Sequence, residues 1–515
     1  MAEAIPSLSG PRMLAKGKAS GNEAAPPDRA RACGDVAVSC CRRTPSSGRL
    51  GCSPSEWERL RGRRLDSSLE GDIVPDPTSN RPELSVIVPV WNGEHSLGKL
   101  LPRLFTVLGA TVKGATEVLV VLPRGDSATQ VAQRAGATVV PFDPPGYGAA
   151  FNAGLAASRG KWVITMDADF SHNPEFVRTL WLRRREADVL IASRYVAGAV
   201  VDMPLSRRIL SRTLNRLYRT TLALPHRDLS SGFRMYRRRV LDDVGSVSAE
   251  GLDALQEVLV KAFSQGWKIL EVPLFYRQLR GWTGGRLAEL SAGYVKTLGR
   301  LIALRNSVKA ADYDNRAFDS WIPLQRYWQR ARFRVIRGMV DGATRILDIG
   351  CGSSRIVQTL PQAVGLDMQI RKLRWLRAPG RQLVQGSLSE LPFADEAFDT
   401  VICSEVIEHI PRDQIELTDM VRVLAPGGRL VLGTPDYGRW TWRTLEGMYK
   451  KVFPQGYATE HINPYTRLEL RHEIERLGLV VLDVQYVGGS EMIFKAVKPA
   501  EAAVPVRPAL RVAGS

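Results

Sequence analysis

Predominantly apolar runs of four to six residues, separated by helical stretches, constrain the fold of this chain more than any other feature. In the first half these runs are Leu84–Pro89, Glu117–Leu122, Ala137–Val140, Trp162–Met166 and Val189–Ala192. Such runs suit parallel strands covered on both faces, and strands that alternate with helices predict an α/β layer structure. A second strand–glycine–helix series runs from Arg345 to about Val497 and shares no motif with the first. The sequence therefore predicts two fused Rossmann-like α/β domains rather than an internal repeat.

Composition sets the predicted domain limits. Residues 1–80 are rich in Pro, Gly, Ser, Ala and Arg and lack apolar periodicity, so we expect a disordered head. The remaining limits are 83–300 for the first domain, 301–335 for a helical linker, 336–497 for the second domain and 498–515 for a disordered tail. The six cysteines show neither zinc spacing nor a disulfide framework, which fits a reducing cytoplasm.

The net charge of +18 is unevenly distributed, since residues 171–310 carry 24 lysines and arginines against 12 aspartates and glutamates. A concentrated basic face attracts phosphates, anionic lipid or nucleic acid, although a solvated charged surface is the common alternative. Nucleic acid is disfavoured as a partner because no recognition fold or aromatic platform accompanies the charge.

Membrane contact is predicted to be peripheral. No run reaches the roughly 18 apolar residues that a bilayer span requires, and the N-terminus lacks the pattern of a secretory signal. One predicted helix combines basic with apolar side chains: Arg207, Arg208, Arg212, Arg216 and Arg219 with Ile209, Leu210, Leu214, Leu217 and Leu222. We expect a cytoplasmic protein that can lie on the inner face of the cell membrane, although this helix could equally pack on its own core.

Two carboxylates, Asp167 and Asp169, directly follow the apolar strand that begins at Trp162. Unpaired charge at the end of a buried strand is costly, and a divalent cation removes that cost. Mg²⁺ or Mn²⁺ prefers such oxygen ligands and can bridge a nucleotide diphosphate. The alternative is a solvated turn.

Further candidates lie near the ends of neighbouring strands. Pro89 ends the first strand, and Asn92 and Glu94 could bond a nucleotide or cap the following helix. Gly148 lies in a glycine-rich segment that would allow a helix to approach a bound diphosphate closely, unless the glycines serve a tight turn.

Taken in order, these motifs resemble the inverting family 2 glycosyltransferases, in particular the dolichol- or polyprenyl-phosphate sugar synthases. The motifs are Val88–Asn92, Gly146–Ala150, Met166–His172, Ala192–Tyr195, Ser230–Tyr236 and Glu271–Arg277 running on to Thr283. The resemblance covers about residues 83–300. It implies a GT-A nucleotide-sugar-binding domain, a nucleotide-sugar donor, and a lipid-phosphate or other glycan acceptor.

The same resemblance implies roles for individual residues. Asp167 and Asp169 would lie at the ribose and the metal, Arg194 and Arg234 would face phosphates, and Glu257 would lie near the donor. The other implied substrate-binding residues are Arg277 and Arg280. A lipid phosphate is already anionic near neutral pH, so the transfer needs cationic side chains and a metal rather than a general base.

One departure from the family keeps a second interpretation open. The family usually has an acidic turn after the second strand, whereas this chain has Leu122 and Pro123 there, with Asp126 as a displaced substitute. The first domain could therefore be a non-catalytic module that presents glycan or lipid to the second.

The second domain opens with a strand that runs into a glycine turn containing Asp348, Gly350 and Gly352. Seventeen residues after Gly350, Asp367 ends the next strand and is placed to bind two ribose hydroxyls. A nicotinamide-dependent dehydrogenase shares this glycine turn, but the downstream segments argue against it.

The ordered segments Arg345–Ser354, Val364–Asp367, Leu391–Glu405, Val406–Ile410 and Leu424–Val431 resemble the class I S-adenosylmethionine-dependent methyltransferases. This likeness covers about residues 312–497. It implies that Asp348, Gly350 and Gly352 approach the methionine end of the cofactor, that Asp367 holds the ribose, and that Glu405 lies beside the sulfonium.

A hydroxyl acceptor would need a general base, and His409 is favoured over His461 for that role. The sequence thus predicts a bifunctional enzyme that transfers a sugar and then O-methylates a sugar, glycan or lipid product. An RNA-binding methyltransferase is a third, weaker interpretation.

Overall fold

The computed structural model describes residues 81–90, 96–143, 146–277, 287–412, 417–452 and 461–500. For residues 287–292 and 448–452 it describes the backbone only. The predicted disordered head, most of the predicted tail, Asn92, Glu94 and Arg280 lie outside the described residues.

The first domain contains nine of the described strands. They are β1 (Leu84–Pro89), β2 (Thr116–Pro123), β3 (Thr138–Phe142), β4 (Trp162–Thr165), β5 (Val189–Ser193), β6 (Val200–Asp202), β7 (Arg234–Arg237), β8 (Ile269–Pro273) and β9 (Phe275–Arg277). The helices are α1 (Leu97–Thr111), α2 (Ala128–Arg134), α3 (Tyr147–Ala157), α4 (Phe176–Arg183), α5 (Leu205–Thr221), α6 (Arg238–Val244), α7 (Ala254–Ser264) and α8 (Leu287–Asn306).

Seven of these strands form one sheet in the order β3-β2-β1-β4-β7-β5-β8, in which β7 is antiparallel to both neighbours. Strands β6 and β9 form a separate parallel pair. Every residue of β1 is buried, with Val86 and Val88 in the core on one face of the sheet and Ile87 in the core on the other. This burial confirms the prediction of a parallel strand covered on both faces.

The second domain has seven strands and five helices among the described residues. The strands are β10 (Ile346–Ile349), β11 (Ala363–Asp367), β12 (Gln382–Gln385), β13 (Phe398–Ser404), β14 (Leu424–Pro435), β15 (Val480–Val487) and β16 (Glu491–Val497). The helices are α11 (Arg355–Thr359), α12 (Ile370–Leu376), α13 (Thr418–Val423), α14 (Trp440–Val452) and α15 (Arg467–Arg476), with a 3₁₀ turn at Ile407–His409. The sheet order is β12-β11-β10-β13-β14-β16-β15, with β16 antiparallel to its neighbours.

Helices α9 (Tyr313–Phe318) and α10 (Pro323–Met339) join the two domains. The predicted domain limits at 300 and 335 fall inside α8 and α10, so 301–335 is not an independent linker. Helix α10 packs on β15 and β16, because its apolar face, including Ile336, completes the second core. Among the described residues, no helix is both long and apolar enough to cross a bilayer.

Helix α12 of the second domain contacts the first domain. The Arg374 guanidinium lies 3.9 Å from the centre of the Trp267 ring and 2.5 Å from an Asp243 carboxylate oxygen. Trp375 packs edge-on against Phe263 at 5.5 Å and joins the apolar core of the first domain. The two domains are therefore held together by packing as well as by the chain.

Candidate active sites

Asp167 and Asp169 follow the carboxyl end of β4, next to the carboxyl end of β1. The side chain of Asp167 is 48% exposed, and its backbone N–H donates to Nδ1 of buried His172 at 2.8 Å. Asp169 accepts hydrogen bonds from the backbone N–H of Ser171 at 2.9 Å and from its hydroxyl. Among the described residues neither carboxylate pairs with an arginine. Both groups therefore retain oxygen lone pairs for a cation.

His172 is a positioning residue for which the sequence suggested no role. Its ring stacks on Phe233 at 5.0 Å between centroids, and its Nε2 lies 3.5 Å from Oδ2 of Asp167. The imidazole thus holds both the backbone and the carboxylate of Asp167. The only sequence signal for it is its place at the end of the Met166–His172 motif.

Arg194 was expected to face phosphates, but most of its guanidinium is committed within the protein. It donates two hydrogen bonds to the fully buried Asp228, at 2.8 and 2.7 Å, and one to the Ser230 hydroxyl at 2.7 Å. Although burial opposes the charge, Asp228 raises the pKa of Arg194 above its usual value. Any phosphate contact would therefore fall to Nη1, which makes none of these bonds.

The expectation that Arg234 faces phosphates is wrong. Strand β7 lies between β4 and β5, and the Arg234 side chain is completely buried. Its guanidinium donates to the backbone carbonyls of Leu255 at 2.6 Å and Leu229 at 2.7 Å. Arg234 therefore ties the sheet to neighbouring chain segments and does not reach the site.

Gly148 and Glu257 also serve the fold rather than the donor. A side chain at Gly148 would place its Cβ 1.8 Å from the carbonyl oxygen of Ala249, so the glycine is required by protein backbone rather than by a diphosphate. Glu257 accepts hydrogen bonds from the backbone N–H groups of Ser248 and Ala249 and lies 2.7 Å from Lys261. Although burial opposes ionisation, these partners lower the pKa of Glu257.

The structure places the remaining substrate-binding candidates of the first domain as follows. Pro89 ends β1 in register with Val121. Arg277 is exposed and lies 3.3 Å from the equally exposed Asp202. Asp126 accepts from the N–H of Ala128 at 2.8 Å and so caps the start of α2.

In the second domain, register brings the carboxyl ends of β10, β11 and β13 to one edge. Gly350 and Gly352 have φ values of 65° and 55°, and a Cβ there would meet Val406 at 2.2 Å and Asp314 at 2.6 Å. The glycines therefore permit both the left-handed turn and the close approach of other segments.

Asp367 and Asp348 lie beside this glycine turn. Asp367 accepts hydrogen bonds from the N–H groups of Gly352 at 2.8 Å and Gln369 at 2.7 Å, and burial raises its pKa. Asp348 is buried, and its Oδ2 has no hydrogen-bond partner among the described residues. Burial, reinforced by the neighbouring Asp367, raises the pKa of Asp348 to about 8.

Glu405 follows β13 with a φ of 58°, which is unusual for a residue other than glycine. Its Oε2 lies 3.0 Å from Arg332, and Arg332 also donates two hydrogen bonds to buried Glu491, at 2.6 and 2.8 Å. Burial raises the pKa of Glu405, although Arg332 opposes the shift.

His409 lies close to His461, with ring centroids 4.9 Å apart. Nδ1 of His461 lies 3.0 Å from the Tyr437 hydroxyl and 3.3 Å from the Glu446 carboxylate. The two histidines considered as bases therefore belong to one cluster rather than to separate sites.

A cavity of about 560 Å³ connects these groups. Its lining includes Asp348, Gly350, Gly352, Asp367, Glu405, His409 and His461. Helices α9 and α10 supply a further wall through Asp314 and Arg332, which were not predicted because both precede the motifs that carry the resemblance. The sequence signal for this wall is the spacing of Trp328 and Arg332. They are four residues apart in one helix, so both lie on the face that lines the cavity.

Comparisons with protein families agree with the division of the chain into two domains. The model for glycosyl transferase family 2 matches residues 85–245, and the model for a methyltransferase domain matches residues 347–432. The dolichyl-phosphate hexose transferase of Haloferax volcanii is 30% identical over 202 residues, which are 39% of this chain and 86% of that protein. The polyprenol monophosphomannose synthase of Mycolicibacterium smegmatis is 37% identical over 140 residues, 26% of this chain and 53% of that protein.

Two solved structures are similar in part. Glucosyl-3-phosphoglycerate synthase from Mycobacterium tuberculosis, solved with Mn²⁺, uridine diphosphate and glucosyl-3-phosphoglycerate, is 22% identical and has a TM-score of 0.35, covering 43% of this chain and 80% of that one. A methyltransferase from Thermotoga maritima, described as a possible histamine N-methyltransferase, is 18% identical and has a TM-score of 0.31, covering 36% of this chain and 98% of that one.

The chain is thus a two-domain α/β enzyme that joins a glycosyltransferase to a methyltransferase, as predicted. It belongs to glycosyl transferase family 2 and carries the methyltransferase domain as a C-terminal fusion.

Proposed function

We propose that the first domain transfers a sugar, with inversion, from a nucleotide-sugar to a polyprenyl-phosphate-type lipid, and that the second domain O-methylates a sugar, glycan or lipid product. The sugar-transfer part is supported above all by Asp167 and Asp169, whose carboxylates remain available at the edge where β1 and β4 end. The names of the Haloferax and Mycolicibacterium relatives support a lipid-phosphate acceptor.

The groups at the first site fit a divalent ion. Asp167 and Asp169 would hold Mg²⁺ or Mn²⁺, whose contribution is to neutralise charge on the leaving diphosphate. Ser171 and His172 fix these two carboxylates in place, which limits the reorganisation needed on binding. A lipid phosphate attacks as an anion, so transfer to such an acceptor requires no general base.

Helix α5 supports attachment to the cytoplasmic face of a membrane. Its apolar side chains do not all turn inward, because Leu205, Ile209, Leu210 and Leu217 are each at least half exposed. Arginines occupy the intervening positions, and Asn215 and Tyr218 are its buried residues. Exposed leucines beside arginines suit the interface of an anionic bilayer better than the alternative of packing on the protein's own core.

The test of sugar transfer uses the full-length protein, polyprenyl phosphate in vesicles, and GDP- or UDP-sugars with Mn²⁺ or Mg²⁺. We expect a lipid-linked sugar by mass spectrometry, its loss with chelator, and at least a hundredfold slower formation for Asp169→Asn. Asp242→Asn is the matched control, because Asp242 is exposed on α6 and has no proposed role in the site. Transfer that survives both chelation and Asp169→Asn would exclude the proposed metal site.

The cavity of the second domain fits S-adenosylmethionine, which would supply an electrophilic methyl group. Asp348, with an unsatisfied buried oxygen, and the turn at Gly350 and Gly352 would hold its amino-acid end. Asp367 would accept from the ribose hydroxyls and Glu405 would lie near the sulfonium. In-line alignment supplies much of the rate of such a displacement, and a walled cavity provides it.

The acceptor oxygen must lose a proton as the bond to the methyl carbon forms. His409 lines the cavity and would accept this proton unless its imidazole binds a metal ion. Binding of S-adenosylmethionine by calorimetry, with Asp367→Asn expected to weaken it at least tenfold, tests the cofactor assignment. Unchanged affinity would show that Asp367 does not contact the cofactor. Absence of binding by the wild-type protein would refute the proposed methyl transfer. Labelled methyl donor added to the sugar-transfer mixture would then identify the acceptor.

The second candidate is a methyltransferase whose first domain only binds glycan or lipid. The buried Leu122 in place of an acidic turn favours it, as does the commitment of Arg194 and Arg234 to internal contacts. Titration with GDP- and UDP-sugars in the presence of Mn²⁺ discriminates between the candidates. Binding that Asp169→Asn abolishes supports catalysis, whereas no binding supports the module.

A further inference from the structure

A cluster of three potential metal ligands lies at the methyltransferase cavity. One ligand atom from each of Glu408, His409 and His461 can be chosen so that all lie within 4.8 Å of one another. Glu408 is fully buried, and both histidines line the cavity. Opposite ligands of an octahedral ion at about 2.1 Å are about 4.2 Å apart, so small side-chain movements would close the cluster on one ion.

Two buried carboxylate oxygens beside this cluster lack hydrogen bonds. Oε2 of Glu408 accepts from the Thr434 hydroxyl at 3.1 Å, but Oε1 has no hydrogen-bond partner among the described residues. The same is true of Oε1 of Glu405. Buried polar atoms are nearly always satisfied, and an unsatisfied carboxylate oxygen is especially costly. These two oxygens therefore indicate a ligand.

The charge around the cavity points to a cation. Glu405, Glu408, Glu446 and Glu491 are all wholly or largely buried, and Arg332 forms salt bridges with two of them. With one guanidinium among these four carboxylates, the cavity lacks compensating positive charge. A doubly charged ion would supply that charge.

A second layer of contacts orients the cluster. Nδ1 of His461 faces Glu446 and the Tyr437 hydroxyl, and these contacts fix the orientation of the imidazole ring. The His461 ring also stacks against Trp442, with centroids 6.0 Å apart. A carboxylate behind an imidazole is the usual arrangement for a metal-binding histidine.

We propose that Glu408, His409 and His461 bind a divalent first-row transition-metal ion in the methyltransferase cavity. Mixed imidazole and carboxylate ligands favour Mn²⁺, Co²⁺ or Zn²⁺ over Ca²⁺. This site is separate from the one at Asp167 and Asp169. A metal-bound His409 is not a general base, and the ion would instead lower the pKa of an acceptor hydroxyl bound to it. That last role rests on the proposed methyl transfer, whereas metal binding does not.

The experiment uses full-length Asp169→Asn protein, so that the first-domain site does not contribute. Titration with Co²⁺ should give a visible absorption spectrum that saturates at one ion per chain. Glu408→Gln and His461→Asn should each weaken Co²⁺ binding at least tenfold. The control His472→Ala, at an exposed position on α15, should bind as the parent does.

A second measurement does not depend on whether those variants fold. Mn²⁺ bound to the parent protein should show pulsed electron paramagnetic resonance modulation from directly coordinated ¹⁴N. Absence of saturable Co²⁺ binding, absence of the ¹⁴N signal, or wild-type affinity in folded Glu408→Gln and His461→Asn would overturn the proposal. Calorimetry with S-adenosylmethionine is run in parallel. Cofactor binding without metal binding refutes only this inference, and metal binding without cofactor binding refutes only the proposed methyl transfer.

Discussion

Substituting Asp348 by asparagine is expected to stabilise the cofactor-free protein in a pH-dependent way. The Asp348 carboxyl is buried beside Asp367, one of its oxygens lacks a hydrogen bond, and its pKa rises from 3.8 to about 8. Between these two values the folded state retains a proton that the unfolded state has lost. Stability therefore falls as pH rises from about 4 to about 8, and the loss is complete above the folded pKa.

The size of the effect follows from the shift. Each pKa unit corresponds to about 1.36 kcal/mol, so a shift of roughly four units gives an upper limit on the order of 5 kcal/mol. Water entry and side-chain movement reduce this figure, and we expect at least about 2 kcal/mol between pH 5 and pH 8. Asparagine cannot ionise. The free energy of unfolding of Asp348→Asn, relative to that of the wild type, should therefore increase by that amount between pH 5 and pH 8.

Urea unfolding of the cofactor-free protein at pH 5 and pH 8 measures this difference. Exposed Asp341, substituted in the same way, is the control and should follow the wild type at both pH values. We also expect Asp348→Asn to bind S-adenosylmethionine at least tenfold more weakly, so that stability is gained where function is lost. A stability difference between wild type and Asp348→Asn that does not change with pH would refute the reasoning.

Two further substitutions test the packing of the first domain. Gly148→Ala should abolish soluble protein or lower the melting temperature strongly, because its Cβ would overlap a backbone carbonyl oxygen at 1.8 Å. The control Gly109→Ala has open space around its Cβ and should leave the melting temperature unchanged or higher. Asp228→Asn should destabilise the domain by about 3–5 kcal/mol in chemical unfolding, because it leaves the buried Arg194 without its counter-charge. The exposed Asp202→Asn should change stability by less than about 1 kcal/mol, and equal effects of the two aspartates would contradict the assignment.

The elements of the fold were predictable because their signals are local. Leu84–Pro89 forms a strand over the residues predicted, and the limits of the four other strands predicted in the first half differ from the observed ones by at most two residues at either end. Each is a short apolar run between helices, and burial on both faces leaves little choice of conformation. The glycine turn at Gly350 was predictable for the same reason, since its conformation depends on residues adjacent in sequence.

The partners of charged side chains could not be predicted in this way. Arg194 and Arg234 look alike in sequence, yet one pairs with Asp228, 34 residues away, and the other is enclosed by a strand order that places β7 inside the sheet. Asp314 and Arg332 reach the second site from segments outside the family motifs. Which cation meets which carboxylate is decided by sheet order and helix packing, and these depend on contacts between distant residues.

Contact between the domains leads to a prediction about their cooperativity. Arg374 lies over the Trp267 ring and pairs with Asp243, while Trp375 of the same helix enters the apolar core of the first domain. Unfolding either domain would expose this apolar surface, so each domain raises the stability of the other. We therefore expect a single calorimetric unfolding transition for the wild-type chain.

Arg374→Glu should divide that transition into two. It removes the cation from the Trp267 face and places a carboxylate beside Asp243, so that an attractive contact becomes a repulsive one. The control Arg476→Glu acts on an exposed guanidinium of α15 whose partner is Glu473 in the same helix, so it should leave one transition. Two transitions in the wild type, or one in Arg374→Glu with an unchanged midpoint, would show that the domains unfold independently of this contact. If the wild type shows two transitions, cutting the chain between α8 and α9 could separate the two activities. A single transition in the wild type predicts instead that either half alone exposes its interface and aggregates.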